Sequence, residues 1–99
     1  MHRMLVLYGH PKDPEHFRNY YLNTHLPIAA KMPGIKGARH SFEVAALGAD
    51  KSPYICAFEA DFDSAEALFA ALTSPEGQAT AADVPNYATG GVTMLHYPI

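Results

Sequence analysis

The sequence predicts an α+β domain whose elements follow the order β-α-β-β-α-β. Residues 4–9 are almost continuously apolar and rich in β-forming side chains, which indicates a strand covered on both faces. Residues 54–62 alternate in side-chain character, as a strand with one buried face does. Ala and Leu dominate residues 65–72, and both are strong helix formers. Along the chain, the predicted helical segments therefore lie between predicted strands.

The first helix is predicted to begin at Pro14 with Asp13 as its N-cap. Asp favours the cap position, and Pro favours the first helical position. Pro27 cannot donate a backbone N–H, and it disfavours the α conformation at the residue before it. We therefore expect the regular helix to loosen near residues 24–25, with a shorter turn through residues 28–31.

Recognisable signals bound the later elements. Turn-forming residues at 48–53 make a hairpin of the strands on either side. Asp63–Glu66 is typical of a capping box, and Ser74 followed by Pro75 restarts a helix. The expected elements are strands over 34–47, 54–62 and 92–97, helices over 65–72 and 75–83, and a loop over 85–91.

Two right-handed βαβ crossovers in one antiparallel sheet give the ferredoxin-like fold, with four strands and both helices on one face. The first and last strands are apolar on both faces, so the second face of the sheet also needs cover. A single domain of 99 residues has no further element for this purpose. We expect a homodimer whose two sheets pack face to face.

The composition argues against several classes of protein. The formal net charge is −3 and no Lys/Arg cluster exists, so we expect no nucleic-acid partner. The longest apolar run is too short to cross a bilayer, so we expect no membrane partner. The single cysteine, Cys56, excludes an internal disulfide and suits a reducing cytoplasm. The six histidines lack the spacing of a zinc site, and we expect no metal and no cofactor.

His25 is the candidate catalytic residue. It lies near the predicted end of the first helix, one turn beyond Tyr21, on or beside the buried stripe. A helix end favours the imidazolium and an apolar pocket favours the neutral ring, so its pKa could lie near neutral pH. Such a group can take a proton from carbon next to a carbonyl. The alternative is a structural histidine that bonds the last helix carbonyls.

Aromatic side chains surround this position. Tyr21 shares the helix face with His25, and Tyr8 lies at a strand end beside the helix, so both are candidates to orient a substrate carbonyl. His40 either faces the pocket or is a satisfied core histidine. The candidate substrate-binding residues are Phe17, His40, Phe42, Tyr54 and Phe58.

Three groups of residues follow one another along the chain: Leu7-Tyr8 with Asp13-Pro14 and Phe17; Tyr20-Tyr21 with Thr24–Pro27 and Pro33-Gly34; and Ser74–Gln78 with Asp83 and Ala88–Val92. In this order they resemble the EthD family of dimeric α/β-barrel proteins over nearly the whole chain. The resemblance implies a pocket between sheet and helices in each subunit, with a histidine at the position of His25. Family members often carry a reductase label, and haem bound through His25 would follow by superfamily analogy only.

Three functions are compatible with these observations. The first is a cytoplasmic homodimeric enzyme of catabolism that acts on a compact apolar carbonyl or aromatic compound without a cofactor. In that enzyme His25 would be the general acid/base, helped by Tyr8 and Tyr21. The second is a carrier that shields a small molecule for an oxygenase system. The third is an oxidoreductase or its accessory protein, as the family label implies.

Overall fold

The computed structural model describes residues 1–99 and contains one four-stranded sheet with a helical layer on one face. The strands are β1 (His2–Gly9), β2 (Gly37–Ser41), β3 (Tyr54–Phe62) and β4 (Val92–Pro98). They are all antiparallel and lie in the order β2-β3-β1-β4. This arrangement is the predicted ferredoxin-like α+β fold.

Two helices begin at the predicted caps Asp13 and Ser74, and a third begins at Ser64, one residue beyond the Asp63 that opens the predicted capping box. The side chains of Asp13, Ser64 and Ser74 each accept a backbone N–H in the first turn of the following helix, at 3.0–3.1 Å. These bonds satisfy donors that would otherwise lack a partner at a helix start. The helices are α1 (Pro14–Tyr20), α2 (Leu26–Ala29), α3 (Ala65–Thr73) and α4 (Pro75–Asp83).

The regular α-helix does give way in the segment that includes residues 24–25, but the expectation that Leu26 leaves the α conformation before Pro27 was wrong. Residues Tyr21–His25 form a π-helical turn, in which the N–H of Leu26 donates to the carbonyl of Tyr21. Leu26 keeps an α conformation, with φ −59° and ψ −41°. The wider turn changes the hydrogen-bond ladder just where Pro27 could not have donated to it. His25 is consequently held inside a continuous helical rod that runs from α1 into α2.

The strand predicted over residues 34–47 was too long, because β2 covers only Gly37–Ser41. The hydroxyl of Ser41 accepts the N–H of Glu43 at 3.0 Å, a local turn that takes the chain away from β3. The predicted 85–91 loop also begins with helical structure, since Val84–Asn86 forms a 3₁₀ turn.

The core lies between the sheet and the helices, because alternate residues of β1 and β3 point toward the helical layer. These residues are Met4, Val6 and Tyr8 of β1, with Cys56, Phe58, Ala60 and Phe62 of β3.

The opposite face of the sheet is not covered by any element of this chain. Leu5 and Leu7 are half-buried there, and Leu95 and Tyr97 are 48% and 40% exposed. Every residue of β4 is exposed. Among the helices, none has the length and apolar character that a membrane crossing requires.

Candidate functional site

The imidazole of His25 and the carboxylate of Asp83 form a buried pair. Nδ1 of His25 lies 2.9 Å from Oδ2 of Asp83. The two residues are only 4% and 8% exposed, so water screens this contact weakly. Asp83 is the last residue of α4, which packs beside the rod that carries His25. The pair therefore joins two helical segments that are distant in the chain.

Two further donors fix the Asp83 carboxylate. The hydroxyl of Tyr20 donates to Oδ1 at 2.6 Å, and the side-chain amide of Asn86 donates to the same oxygen at 3.0 Å. Burial alone would raise the pKa of Asp83, but hydrogen bonds from Tyr20, His25 and Asn86 outweigh it and hold that pKa below its ordinary value. Asp83 is therefore ionised at neutral pH and acts as an acceptor toward Nδ1–H of His25.

The surroundings of His25 favour the neutral form of its imidazole. Burial lowers its pKa below the ordinary value, and the contact with Asp83 opposes this shift without cancelling it. With the proton on Nδ1, the lone pair of Nε2 is free. No group of the protein bonds to Nε2, and no fully buried side-chain nitrogen or oxygen lacks a partner, so Nε2 keeps some exposed surface in a residue that lines the adjoining cavity.

The cavity beside His25 has a volume of about 160 Å³ and lies between the sheet and the helices. Of its 16 lining residues 13 are hydrophobic, and none carries a Lys, Arg, Asp or Glu side chain. Its mouth lies between α4 and β4, where the lining residues Ala81, Val92 and Met94 are exposed. The site is thus an apolar cavity whose lining includes one imidazole.

Tyr8 and Tyr21 both line this cavity. The hydroxyl of Tyr8 lies 2.8 Å from that of Tyr87, and burial raises the pKa of all three phenols. They therefore stay protonated and can donate hydrogen bonds. The ring of Tyr21 stacks on that of His25, with 5.5 Å between the ring centroids and an interplanar angle of 20°.

The candidate substrate-binding residues separate into two groups, and only Phe58 lines the cavity. Phe17 is 1% exposed and packs inside the aromatic cluster, with Phe42 against its ring edge. Tyr54 lies half-buried at the start of β3, outside the cavity. His40 is exposed on β2, so the alternative of a core histidine was wrong. It faces a separate cleft, because β2 is an edge strand of the sheet.

The sequence did not predict the roles of Asp83, Asn86 and Tyr87 in the site. Asp83 was noted only for its place in the family resemblance, and Tyr87 was not singled out. A signal for Asp83 did exist, because an acidic residue at a helix C-terminus faces the negative end of the dipole and needs a compensating partner. Nothing local indicated that this partner would be His25.

Comparisons with known proteins agree with this fold. The family model of the EthD domain matches residues 10–91. The chain is 39% identical over 95 residues to an uncharacterized 11.0 kDa protein from the thcB-thcC intergenic region of Rhodococcus erythropolis, covering 96% of this chain and 91% of that protein.

Two crystal structures extend the comparison. An EthD family protein from Bacillus halodurans is 26% identical, with a TM-score of 0.91 over 100% of this chain and 98% of that one. A dimeric ferredoxin-like protein of unknown function from Thermobifida fusca is 17% identical, with a TM-score of 0.73 over 99% and 90% of the two chains. The domain match and the overall similarity establish that this chain belongs to the EthD family.

Proposed function

We propose that this protein is an enzyme that moves a proton at a carbon atom next to a carbonyl group, with His25 as the general base. The observation that carries the proposal is the buried Asp83–His25 pair, which leaves Nε2 of His25 without a protein partner in the lining of an apolar cavity. A neutral imidazole in a fixed tautomer is suited to this chemistry.

The proposed step uses only groups of this chain. Nε2 of His25 takes the proton from the carbon atom, and the electron pair of the broken C–H bond moves to the carbonyl oxygen to give an enolate. The hydroxyl of Tyr8 can donate to that oxygen, while Asp83 stabilises the imidazolium that forms. Return of the proton, to the same carbon or to another, completes an exchange or an isomerisation. This step consumes no cofactor.

The cavity defines a substrate class. An apolar cavity of about 150 Å³ accommodates a benzene-sized molecule, so a volume of about 160 Å³ suits a compact aromatic or alicyclic compound. The lining offers no cationic side chain, and burying an unpaired carboxylate or phosphate is costly. We therefore propose a small, uncharged carbonyl compound as substrate.

The direct test follows deuterium incorporation into the methyl group of acetophenone in heavy water. We expect the wild-type protein to catalyse exchange and the His25→Ala variant to lose it by about 10²- to 10⁴-fold. A matched control is His10→Ala, since His10 is an exposed histidine outside the cavity. Equal exchange by wild type and a folded His25→Ala variant would remove His25 from the chemistry.

A second candidate function is a carrier that binds the same class of compound without changing it. The almost entirely hydrophobic lining and the open mouth between α4 and β4 favour this reading. A carrier would bind acetophenone and return it without deuterium. An oxidoreductase role, which the family label suggests, would instead require reduction that depends on an added electron donor such as NADH.

We further propose a cytoplasmic homodimer formed through the uncovered face of the sheet. That face presents an apolar surface made by Leu5, Leu7, Leu95 and Tyr97. A surface of several apolar side chains indicates an interaction site, whereas a single exposed apolar side chain does not. The relative from Thermobifida fusca, which shares the fold, is described as dimeric. The free thiol of Cys56 suits a reducing compartment, and cell fractionation with a specific antibody tests that location.

A further inference from the structure

A second cleft lies on the β2 side of the cavity that contains His25. Its volume is about 220 Å³, and it opens beside Ala38 and His40 of β2. Three residues, Leu26, Ala29 and Phe58, line both spaces. The two spaces are therefore separated by a partition that is one layer of side chains thick.

We propose that Phe58, together with Leu26, sets the length of the ligand by closing the cavity off from this second cleft. The inference rests on the ligand-binding role proposed for the cavity. It assigns Phe58 as a residue that determines specificity, and it assigns the second cleft as a subsite for the distal part of a longer, uncharged ligand.

The position of Phe58 in the sheet explains why it is the dividing residue. In the register of the sheet, Phe58 pairs with Val6 of β1 on one side and with His40 of β2 on the other. Val6 lines the first cavity and His40 lines the second cleft. Phe58 is only 8% exposed and lines both spaces. Removing that ring would join them above the centre of the sheet.

The helical side of the partition is thin as well. Leu26 is half-buried at the start of α2, and Ala29, one turn later, contributes only a methyl group. Leu26 and Ala29 are the residues of α2 that line both spaces. Leu26 is therefore the second residue whose truncation should open the passage.

The chemistry of the second cleft predicts what it would accept. Besides Phe58, five of the other seven lining residues are apolar, and the remaining two are Arg39 and His40. The guanidinium of Arg39 is engaged by Glu59 at 2.7 Å and by Asp61 at 3.3 Å. The imidazole of His40 makes no hydrogen bond to another side chain or to the backbone, so it can bond a neutral polar group. The cleft thus suits an alkyl chain, with or without an uncharged polar end.

The test compares the binding of acetophenone and para-butylacetophenone by calorimetry. In the wild-type protein we expect the butyl chain to add little affinity, because the partition keeps it at the solvent-exposed mouth. In Phe58→Ala the chain can enter the second cleft, and we expect the longer ketone to gain about 10- to 100-fold relative to acetophenone. Leu26→Ala should shift the ratio of the two ketone affinities in the same direction by a smaller factor.

Leu72→Ala is the matched control, because Leu72 lines only the first cavity. It enlarges that cavity without joining it to the cleft, so the ratio should stay near the wild-type value. Phe58→Ala is a large truncation in the core and can impair folding. Leu26→Ala, at a half-buried site, keeps the test decisive, and thermal unfolding verifies each variant.

The inference is overturned if folded Phe58→Ala or Leu26→Ala discriminates between the two ketones as wild type or Leu72→Ala does. Failure of every variant to bind either ketone would overturn the ligand role and this inference together. If the ketones bind but deuterium exchange does not depend on His25, the catalytic proposal fails alone, and the ratio of affinities still decides the role of Phe58.

Discussion

Nδ1 of His25 lies 2.9 Å from Oδ2 of Asp83, although 58 positions separate the two residues in the chain. The contact connects the π-helical turn, where His25 lies, to the last residue of α4. Tyr20 and Asn86 hold the same carboxylate from its other oxygen. The orientation of the imidazole therefore depends on residues that do not themselves line the cavity.

Replacing Asp83 by Asn should abolish most of the activity while preserving the shape of the site. The amide can donate to Nδ1 and so favour the tautomer that carries its proton on Nε2. In that tautomer Nε2 has no free lone pair and cannot act as a base. We expect the rate of deuterium exchange to fall by on the order of 10²-fold or more. Loss of a charged hydrogen-bond acceptor should also lower the free energy of unfolding by about 1–3 kcal/mol.

Tyr20→Phe is the companion variant, because it removes one donor to Asp83 and leaves the carboxylate in place. Its effect on exchange should be much smaller than that of Asp83→Asn. Exchange at the wild-type rate by a folded Asp83→Asn protein would show that the carboxylate does not position His25.

The stability of the protein should fall as the pH drops from about 7 to 5. Burial lowers the pKa of His25 in the folded state below its ordinary value of 6.5, so the unfolded chain takes up the proton at a higher pH than the folded protein does. The unfolded state thus binds more protons, and the loss can approach about 1.4 kcal/mol per pH unit for one group. Denaturant unfolding of wild type and His25→Gln measures it, and His25→Gln should show a shallower dependence. Equal slopes would contradict the lowered pKa.

Much of the fold could be predicted because local signals marked it. The caps at Asp13 and Ser74 and the alternation along residues 54–62 gave element bounds that agree closely with the structure. Patterns of this kind depend on a few neighbouring residues, and their physical causes act within one turn or one strand.

Other features depended on contacts that no local pattern contains. Pro27 is a helix breaker in sequence terms, but a π-helical turn lets the chain pass it without leaving the helix. Phe42 and Val44 continue the alternation of β2, but the Ser41 turn removes them from the sheet. The partner of His25 lies on another helix, so the pairing of His25 with Asp83 could be identified only from the packing of α4 beside the first helical rod.

The cavity should reject anions that match its size. We expect benzoate to bind at least about 10²-fold more weakly than acetophenone at pH 7, because the carboxylate would be desolvated without a cationic partner. Thr80→Lys, which places an ammonium group in the lining, should narrow this difference. Comparable affinities for benzoate and acetophenone in the wild-type protein would contradict the proposed substrate class.

The dimer proposal predicts opposite outcomes for two leucine substitutions. Leu95 lies on the uncovered face of the sheet, whereas Leu47 is exposed in the connection between β2 and β3. Leu95→Lys should weaken dimerisation by on the order of 10²-fold, because it buries like charges across the interface. Leu47→Lys should leave the dimer intact. Light scattering coupled to gel filtration measures both, and a wild-type monomer would overturn the proposal.

The protonation state of His25 is the property on which the whole account depends, and a long-range ¹H–¹⁵N NMR titration of the imidazole measures it most directly. We predict a neutral ring at pH 7 that carries its proton on Nδ1, and a pKa below 6.5. A pKa above 6.5, or a neutral ring with its proton on Nε2, would contradict the account.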